Sequence, residues 1–151
     1  MVQKIDSFKG DFFFLSNFYE RPVLYEGLVY QNTEAAFQAA KCESIHDRKQ
    51  FCTLRPSQAK QLGRRVYLRP DWEGVKDQVM KDILQCKFSQ SPHLKMLLLE
   101  TGDALLVEGN TWHDNYWGNC TCPRCQDIQG RNQLGKTLMQ IREELRHEKK
   151  L

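Results

Sequence analysis

No apolar run in this sequence approaches the ~18 residues that a membrane-spanning helix needs. The first residues, MVQKIDSFKGD, carry no apolar signal core. Internal repeats, low-complexity tracts and linkers rich in Pro, Gly or Ser are also absent, which excludes arrays and tethered modules. A strong excess of one charge is missing too. Lys and Arg number 22 against 19 Asp and Glu, a net charge of +3. That balance suits phosphate-bearing ligands but does not by itself argue for nucleic acid. These absences lead us to expect a cytoplasmic protein without a membrane partner.

What is present is an ordinary globular composition, 40% hydrophobic and 27% charged over 151 residues. That length suits one domain with its own core. Three of the six cysteines, Cys42, Cys52 and Cys86, lie in helix-like stretches without regular spacing. In a reducing compartment such residues act as small buried hydrophobes.

Along the chain, DFFFLSNFY (11–19) begins as a short aromatic strand and breaks at Ser16-Asn17. VLYEGLVYQN (23–32) reads as a hairpin around Glu26-Gly27. Helical signals then dominate. NTEAAFQAAKCES (32–44) has Asn32 or Thr33 as N-cap. RPSQAKQLGRR (55–65) is a short helix with Gly63 as its stop. In 70–88, Trp72, Val75, Val79, Ile83 and Cys86 form one apolar stripe behind Asp71 as N-cap. SPHLKMLLLETG (91–102) pairs Ser91 and Pro92 at its start with Gly102 at its end. DALLVEGN (103–110) is a short strand and 111–131 mostly loop. Residues 132–150 form a closing helix with Leu134, Leu138, Ile141 and Leu145 inward, before a solvated tail, RHEKKL. A few short strands and many helices predict a helix-rich α+β fold.

Some polar residues sit where a buried helix should be bland. Glu34 and Lys41 are seven apart, on one face about 10 Å apart along the axis, with Gln38 between them. Such a group is costly to bury unless it binds something; the alternative is a stripe facing solvent. Lys76 continues the row of Trp72 and Met80, either as a snorkelling lysine or as a ligand contact. Trp72 is either a core residue or the rim of a cleft. Glu108 and Asp114 are either acid/base groups or turn caps.

HDNYWGNCTCPRCQ (113–126) places Cys120, Cys122 and Cys125 in a C-x-C-x-x-C pattern. The C-x-x-C half has metal-ligand spacing, and Pro123 suits a tight knuckle. A tetrahedral zinc needs a fourth ligand, for which His113 is the nearby candidate. The alternatives are a redox pair or packed thiols.

Taken in order, FLSNFY (14–19), TEAAFQAAK (33–41), W-x-x-x-K (72–76), Met80, D-x-x-W-G (114–118) and G-x-N-x-L-G-x-x-L-M-x-I-R (130–142) resemble the NADAR superfamily, also called YbiA-like. The matching segments cover roughly residues 12–145. The resemblance implies a single compact helix-rich α+β domain over 1–151. It also implies an N-glycosidase that hydrolyses the bond from ribose C1 to nitrogen. Activities in the family divide between early riboflavin-biosynthesis intermediates and ADP-ribose attached to guanine in nucleic acid or nucleotides.

The family's functional positions fall on Glu34, Lys41, Trp72 and Asp114, with Asn17 and Lys76 lining the pocket. Trp117 and Gly118 belong to the same motif as Asp114. Where many members have Gly-rich text between the Trp-Gly and Gly-x-Asn motifs, this chain has its cysteine cluster. Catalysis is expected to need no cofactor, leaving zinc a structural question.

C1–N cleavage builds positive charge on the ribose, so a nearby anion helps. Glu34 is expected to activate water or stabilise that cation. Lys41 either hydrogen-bonds ribose or phosphate, or attacks C1 to form an imine with the ring-opened sugar. Trp72 or Phe14 is the stacking candidate for the base, and Arg64, Arg65 and Lys76 are candidates for phosphates. ADP-ribosylated guanine in DNA, RNA or a nucleotide is the expected substrate, with riboflavin intermediates the alternative. The competing classes are a non-catalytic ADP-ribose-binding module and a zinc-knuckle nucleic-acid adaptor.

Overall fold

A computed structural model describes residues 3–148. The described chain runs β1 (Lys4–Ile5), a 3-10 helix (Gly10–Leu15), β2 (Val23–Tyr25), β3 (Leu28–Tyr30), α1 (Thr33–Ala39) and α2 (Ile45–Lys49). It continues through α3 (Pro56–Gly63), α4 (Trp72–Gln90), α5 (Pro92–Glu100), β4 (Leu105–Leu106), β5 (Gly109–Asn110) and β6 (Asn119–Cys120). A second 3-10 helix (Pro123–Cys125) precedes α6 (Gln133–Glu148). The fold is helix-rich α+β with a few short strands. It resolves into two units, Asn17–Pro92 and the pair of flanking segments Met1–Ser16 and His93–Leu151.

In the Asn17–Pro92 unit, β2 and β3 pair antiparallel with Tyr25 opposite Leu28. Glu26 and Gly27 both have positive φ, 47° and 85°, the conformation of a type I′ turn, whose twist suits a two-residue hairpin. The outer edge of β2 is closed by one side chain. Gln90 accepts from the Leu24 N–H at 2.9 Å and donates to the Leu24 carbonyl at 2.7 Å. Its amide thus takes the place of a neighbouring strand. Helix α1 packs on α3 and α4, and its Ala35, Ala36, Ala39 and Ala40 are buried. Small residues on several faces let both neighbours approach.

In the flanking unit, β1 pairs parallel with β4, and β5 parallel with β6. Helix α6 buries Leu134, Leu138, Ile141 and Leu145 and packs on β4. The G-x-N-x-L-G motif makes this packing possible. Asn132, itself at φ 51°, accepts from the Glu108 N–H at 3.0 Å and donates to the Leu106 carbonyl at 2.9 Å. A Cβ on Gly135 would strike that same carbonyl and the Asn132 amide.

Several expectations need correction. Residues 10–15 form a 3-10 helix, not a strand. Local bonds from Phe12 N to Lys9 O and from Ser16 N to Phe13 O satisfy the backbone, so no ladder partner is needed. The helix expected over 32–44 ends at Ala39, and Ile45–Lys49 forms a separate helix capped by Ser44. Gly63 does not adopt a left-handed stop conformation; a Cβ there would collide with Gln38. Asp71 is the N-cap residue of α4 as expected, but its side chain makes no capping bond; Arg69 engages its carboxylate at 2.7 and 3.1 Å instead. The single strand expected over 103–110 is two, β4 and β5. Of the tail, 146–148 are helical, and the rest lies outside the described residues.

Candidate active site

Glu34 begins in a buried N-terminus. The Asn32 side chain accepts from Ala35 N at 2.7 Å and donates to Leu54 O at 3.0 Å. Glu34 N donates to Asn17 O at 3.1 Å. The Glu34 and Gln38 side chains, 8% and 6% exposed, do not form a solvated stripe. Gln38 Nε2 donates to Glu34 Oε2 at 2.7 Å. Its other amide atom, Oε1, lies against Gly63 and has no hydrogen-bond donor among the described residues. Asn17 Oδ1 and Thr33 Oγ1 are likewise without partners there. Asn17 Nδ2 points to Met80 Sδ at 3.5 Å.

Three unsatisfied oxygens therefore surround the first turn of α1: on Thr33 beside Glu34, on Gln38 bonded to Glu34, and on Asn17, whose carbonyl holds the Glu34 amide. Leaving such an atom buried and unpaired costs about 1–3 kcal/mol, and native structures keep few of them. A ligand rich in O–H and N–H donors would satisfy them.

Lys41 is half-buried, and its Nζ donates to the Gly63 carbonyl at 3.4 Å. Burial lowers its pKa below the ordinary lysine value; the Glu34 charge opposes this and the Arg64 charge reinforces it. Gly63 thus touches Lys41 through its carbonyl and Gln38 through its missing side chain. Sequence reading assigned it only to helix termination.

Trp72 is 5% exposed and stacks obliquely on Phe37 with ring centroids 5.1 Å apart. Lys76 pairs with Glu73 at 2.8 Å. Arg64 and Arg65 are exposed. An open hollow of about 440 Å³ is lined by Glu43, Arg48, Arg69, Pro70 and Asp71. It contains none of the sequence-predicted site residues, and its Arg69–Asp71 pair is already formed.

Lys87 carried no expectation from the sequence. It is 3% exposed, with Nζ 5.8 Å from the Tyr19 ring centroid and 5.2 Å from that of Phe88. Burial depresses its pKa to about 7. The signal was available: Met80, Ile83, Leu84 and Lys87 share one buried helical row.

The remaining predicted residues belong to the flanking unit. Phe14 is buried in the first 3-10 helix. Asp114 Oδ1 accepts from Tyr116 N at 3.1 Å and Trp117 N at 2.9 Å, an Asx turn. Its second oxygen has no partner among the described residues. Asn110, unnoticed in the sequence, supports this turn. It accepts from Asp114 N at 3.1 Å and donates to Asp114 O at 2.8 Å. Gly118 is required because a Cβ would meet the Glu108 carbonyl and the Asn110 amide. Glu108 itself is half-buried at the start of this segment, its N–H held by Asn132.

Beside the turn, His113 Nδ1 lies 3.8, 3.3 and 3.4 Å from the sulfurs of Cys120, Cys122 and Cys125. The four ligand atoms lie within 4.8 Å of one another and could hold a metal ion. The structure thus joins Glu34 to Gln38, Lys41 and Asn17 in one unit, and Asp114 to Trp117 and Gly118 in the other.

The NADAR domain model matches residues 6–146, a span that runs through both units. The chain belongs to the NADAR family. It is 40% identical over 143 residues to the N-glycosidase YbiA of Shigella flexneri, covering 93% of this chain and 84% of that protein. A riboflavin biosynthesis protein of Vibrio vulnificus is 36% identical over 137 residues, 87% of this chain and 35% of that longer protein. The solution structure of Escherichia coli YbiA superposes with a TM-score of 0.82 at 37% identity, covering 99% of this chain and 89% of that one. As a NADAR protein with N-glycosidase relatives, the chain is a hydrolase acting on N-glycosyl bonds. Among the described residues, no helix is long and apolar enough to cross a membrane.

Proposed function

We propose that this NADAR protein, acting as one functional domain in the cytoplasm, removes ADP-ribose from ADP-ribosylated guanine in DNA, RNA or nucleotides. The observation that carries this reading is the buried Glu34–Gln38 pair beside Lys41, ringed by three oxygens that lack partners. Those oxygens suit the hydroxyls of a ribose. Arg64 and Arg65, adjacent and exposed, form no ion pair among the described residues. Two neighbouring guanidiniums match the two phosphates of ADP-ribose better than a single phosphate.

In this reading, Glu34 takes a proton from water as the water oxygen bonds to C1 and the C1–N bond breaks. Alternatively the carboxylate stays ionised and stabilises the developing positive charge on the sugar; in either case the departing guanine nitrogen takes a proton from solvent. The depressed pKa of Lys41 also supports a second route. Its neutral amine bonds to C1 as the C1–N bond breaks and guanine leaves with a proton; the C1–ring-oxygen bond then opens as the amine passes its proton to that oxygen, giving an imine, and water hydrolyses the imine to free the sugar and the lysine. Asn17 hydrogen-bonds the sugar, and Lys76 adds positive charge at the phosphates. Trp72, or Phe14, bears on the base. Asp114, with Trp117 and Gly118, is assigned to the reaction through its family motif. The residues themselves complete the acid–base chemistry, so no cofactor is required for it.

The riboflavin-named relative favours a second reading, hydrolysis of an early riboflavin-biosynthesis intermediate. The test offers the protein ADP-ribosylated guanine in DNA and, separately, those intermediates. Release of free ADP-ribose from the first alone supports the proposal, and turnover of the intermediates alone replaces it. Tight binding of ADP-ribose with no turnover of either, unchanged in Glu34→Gln, would make the protein a binding module.

A further inference from the structure

The cysteine cluster is not used by the glycosidase chemistry, and we propose that it is a structural zinc site with a Cys3His ligand set: His113 Nδ1 and the sulfurs of Cys120, Cys122 and Cys125. The proposal stands independently of the substrate reading above.

With Zn–S near 2.3 Å and Zn–N near 2.05 Å, a tetrahedron places nitrogen and sulfur about 3.6 Å apart. The three observed separations, 3.3, 3.4 and 3.8 Å, bracket that value. Three thiols and an imidazole nitrogen converge here without a disulfide, since all six cysteines are free.

His113 adopts φ 69°, a left-handed conformation that costs a non-glycine residue about 1–3 kcal/mol unless its surroundings enforce it. Here that conformation accompanies an imidazole aimed at the three sulfurs. Cys122 caps and Cys125 ends the 3-10 turn Pro123–Cys125, with Cys125 N donating to Cys122 O at 3.0 Å. Asn115 Oδ1 accepts from Cys120 N at 2.9 Å, which fixes the strand carrying that ligand.

Between β5 and α6 the only regular elements among the described residues are β6, two residues long, and the three-residue 3-10 turn. So short a stretch buries little apolar side chain of its own, the situation in which small folds take a metal staple. Four protein ligands leave no open position, so the ion serves structure and not water activation. Asp114 lies between His113, a ligand, and Asn115, which holds the strand of another ligand. Zinc would therefore fix the backbone on both sides of the Asp114 turn.

The test uses the full chain purified without chelators. Elemental analysis is expected to find one zinc per chain, released together with reactivity at three thiols. Cobalt(II) substituted for zinc should show thiolate-to-cobalt charge transfer and the intense d–d bands of tetrahedral coordination. Cys122→Ser should weaken zinc by more than the ~10–100-fold typical of an outer-shell change. His113→Cys should keep the metal with a four-thiolate cobalt spectrum, which guards against Cys122→Ser simply failing to fold. Hydrogen exchange at 110–121 should accelerate when zinc is removed from the wild-type chain. A reduced, folded chain that takes up no zinc would overturn the proposal, as would an octahedral cobalt spectrum. His113→Ala with unchanged zinc affinity would remove His113 from the ligand set. None of these readouts depends on glycosidase activity, so the two proposals fail separately.

Discussion

Gln38 links Glu34 to Gly63: Nε2 donates to Glu34 Oε2 at 2.7 Å, and Oε1 occupies the space where a side chain on residue 63 would stand. The buried carboxylate is therefore oriented through a glycine two helices along the chain. Gly63→Ala should displace the amide while leaving α3 intact, since Ala is the better helix former. We expect kcat to fall about 10–100-fold, the scale of a small misplacement of a reacting group. Circular dichroism should be unchanged. Glu34→Gln should fall further, by ~10²–10⁴, the usual worth of a positioned acid–base group. Full activity in Gly63→Ala would remove Gln38 from the positioning role.

Lys41 separates the two chemical routes. Burial depresses its pKa, so a larger fraction is neutral at a given pH than for a free lysine with pKa near ~10.4. If the amine attacks C1, borohydride should trap substrate on Lys41. The trapped yield should rise with pH and level off below the ordinary lysine value. Lys41→Arg keeps the charge but cannot form the imine. Retained turnover in that variant, with no wild-type adduct, would leave hydrogen bonding as the role of Lys41.

Asp114 can be tested against its own turn. Its Oδ1 accepts two backbone N–H bonds, and an asparagine oxygen can accept the same two. Asp114→Asn should thus keep thermal stability close to wild type. If the carboxylate also serves the reaction, kcat should nonetheless fall at least ~10²-fold. Equal activity in wild type and variant would reduce Asp114 to a turn cap.

Lys87 predicts a pH dependence of stability. Its pKa falls from 10.5 to about 7 on burial, so between those values the unfolded chain holds a proton that the folded chain has lost. Stability then rises with pH across that window, and the Lys87 contribution is flat below about 7. Lys87→Met should be more stable near pH 7 and show a shallower rise toward pH 9.5 in denaturant titrations. Above that, Tyr30, raised to about 12 by burial, begins to act in the opposite direction. An unchanged slope in Lys87→Met would show that the lysine stays charged in the fold.

The sequence made the hairpin at Glu26-Gly27 legible because a two-residue turn between apolar runs depends on local conformation alone. The stripe through Val79 and Ile83 was legible for a similar reason, since helical spacing is set within one element. Residues 10–15 misled because three consecutive phenylalanines favour a strand only where a partner strand exists. Gly63 was legible as the end of α3, but its main constraint, the Gln38 side chain on α1, was not. Asn110 was invisible because its partners are backbone atoms of a loop that has no period.

The sequence by itself determined the helix-rich α+β class, the order of the motifs, and the spacing of three potential metal ligands, whereas the expected pairing of Glu34 with Lys41 on one helix fails because α1 ends at Ala39. Each of the first three follows from local periodicity or from residue identity. Only the tertiary structure decided that the Glu34 stripe is buried and not solvated, that Gly63 is a contact surface, and that Lys87 is buried beside the Tyr19 and Phe88 rings. It also decided that His113 turns its imidazole onto three thiols. Burial and convergence depend on which distant segments meet, and no local pattern encodes which neighbours a side chain will find.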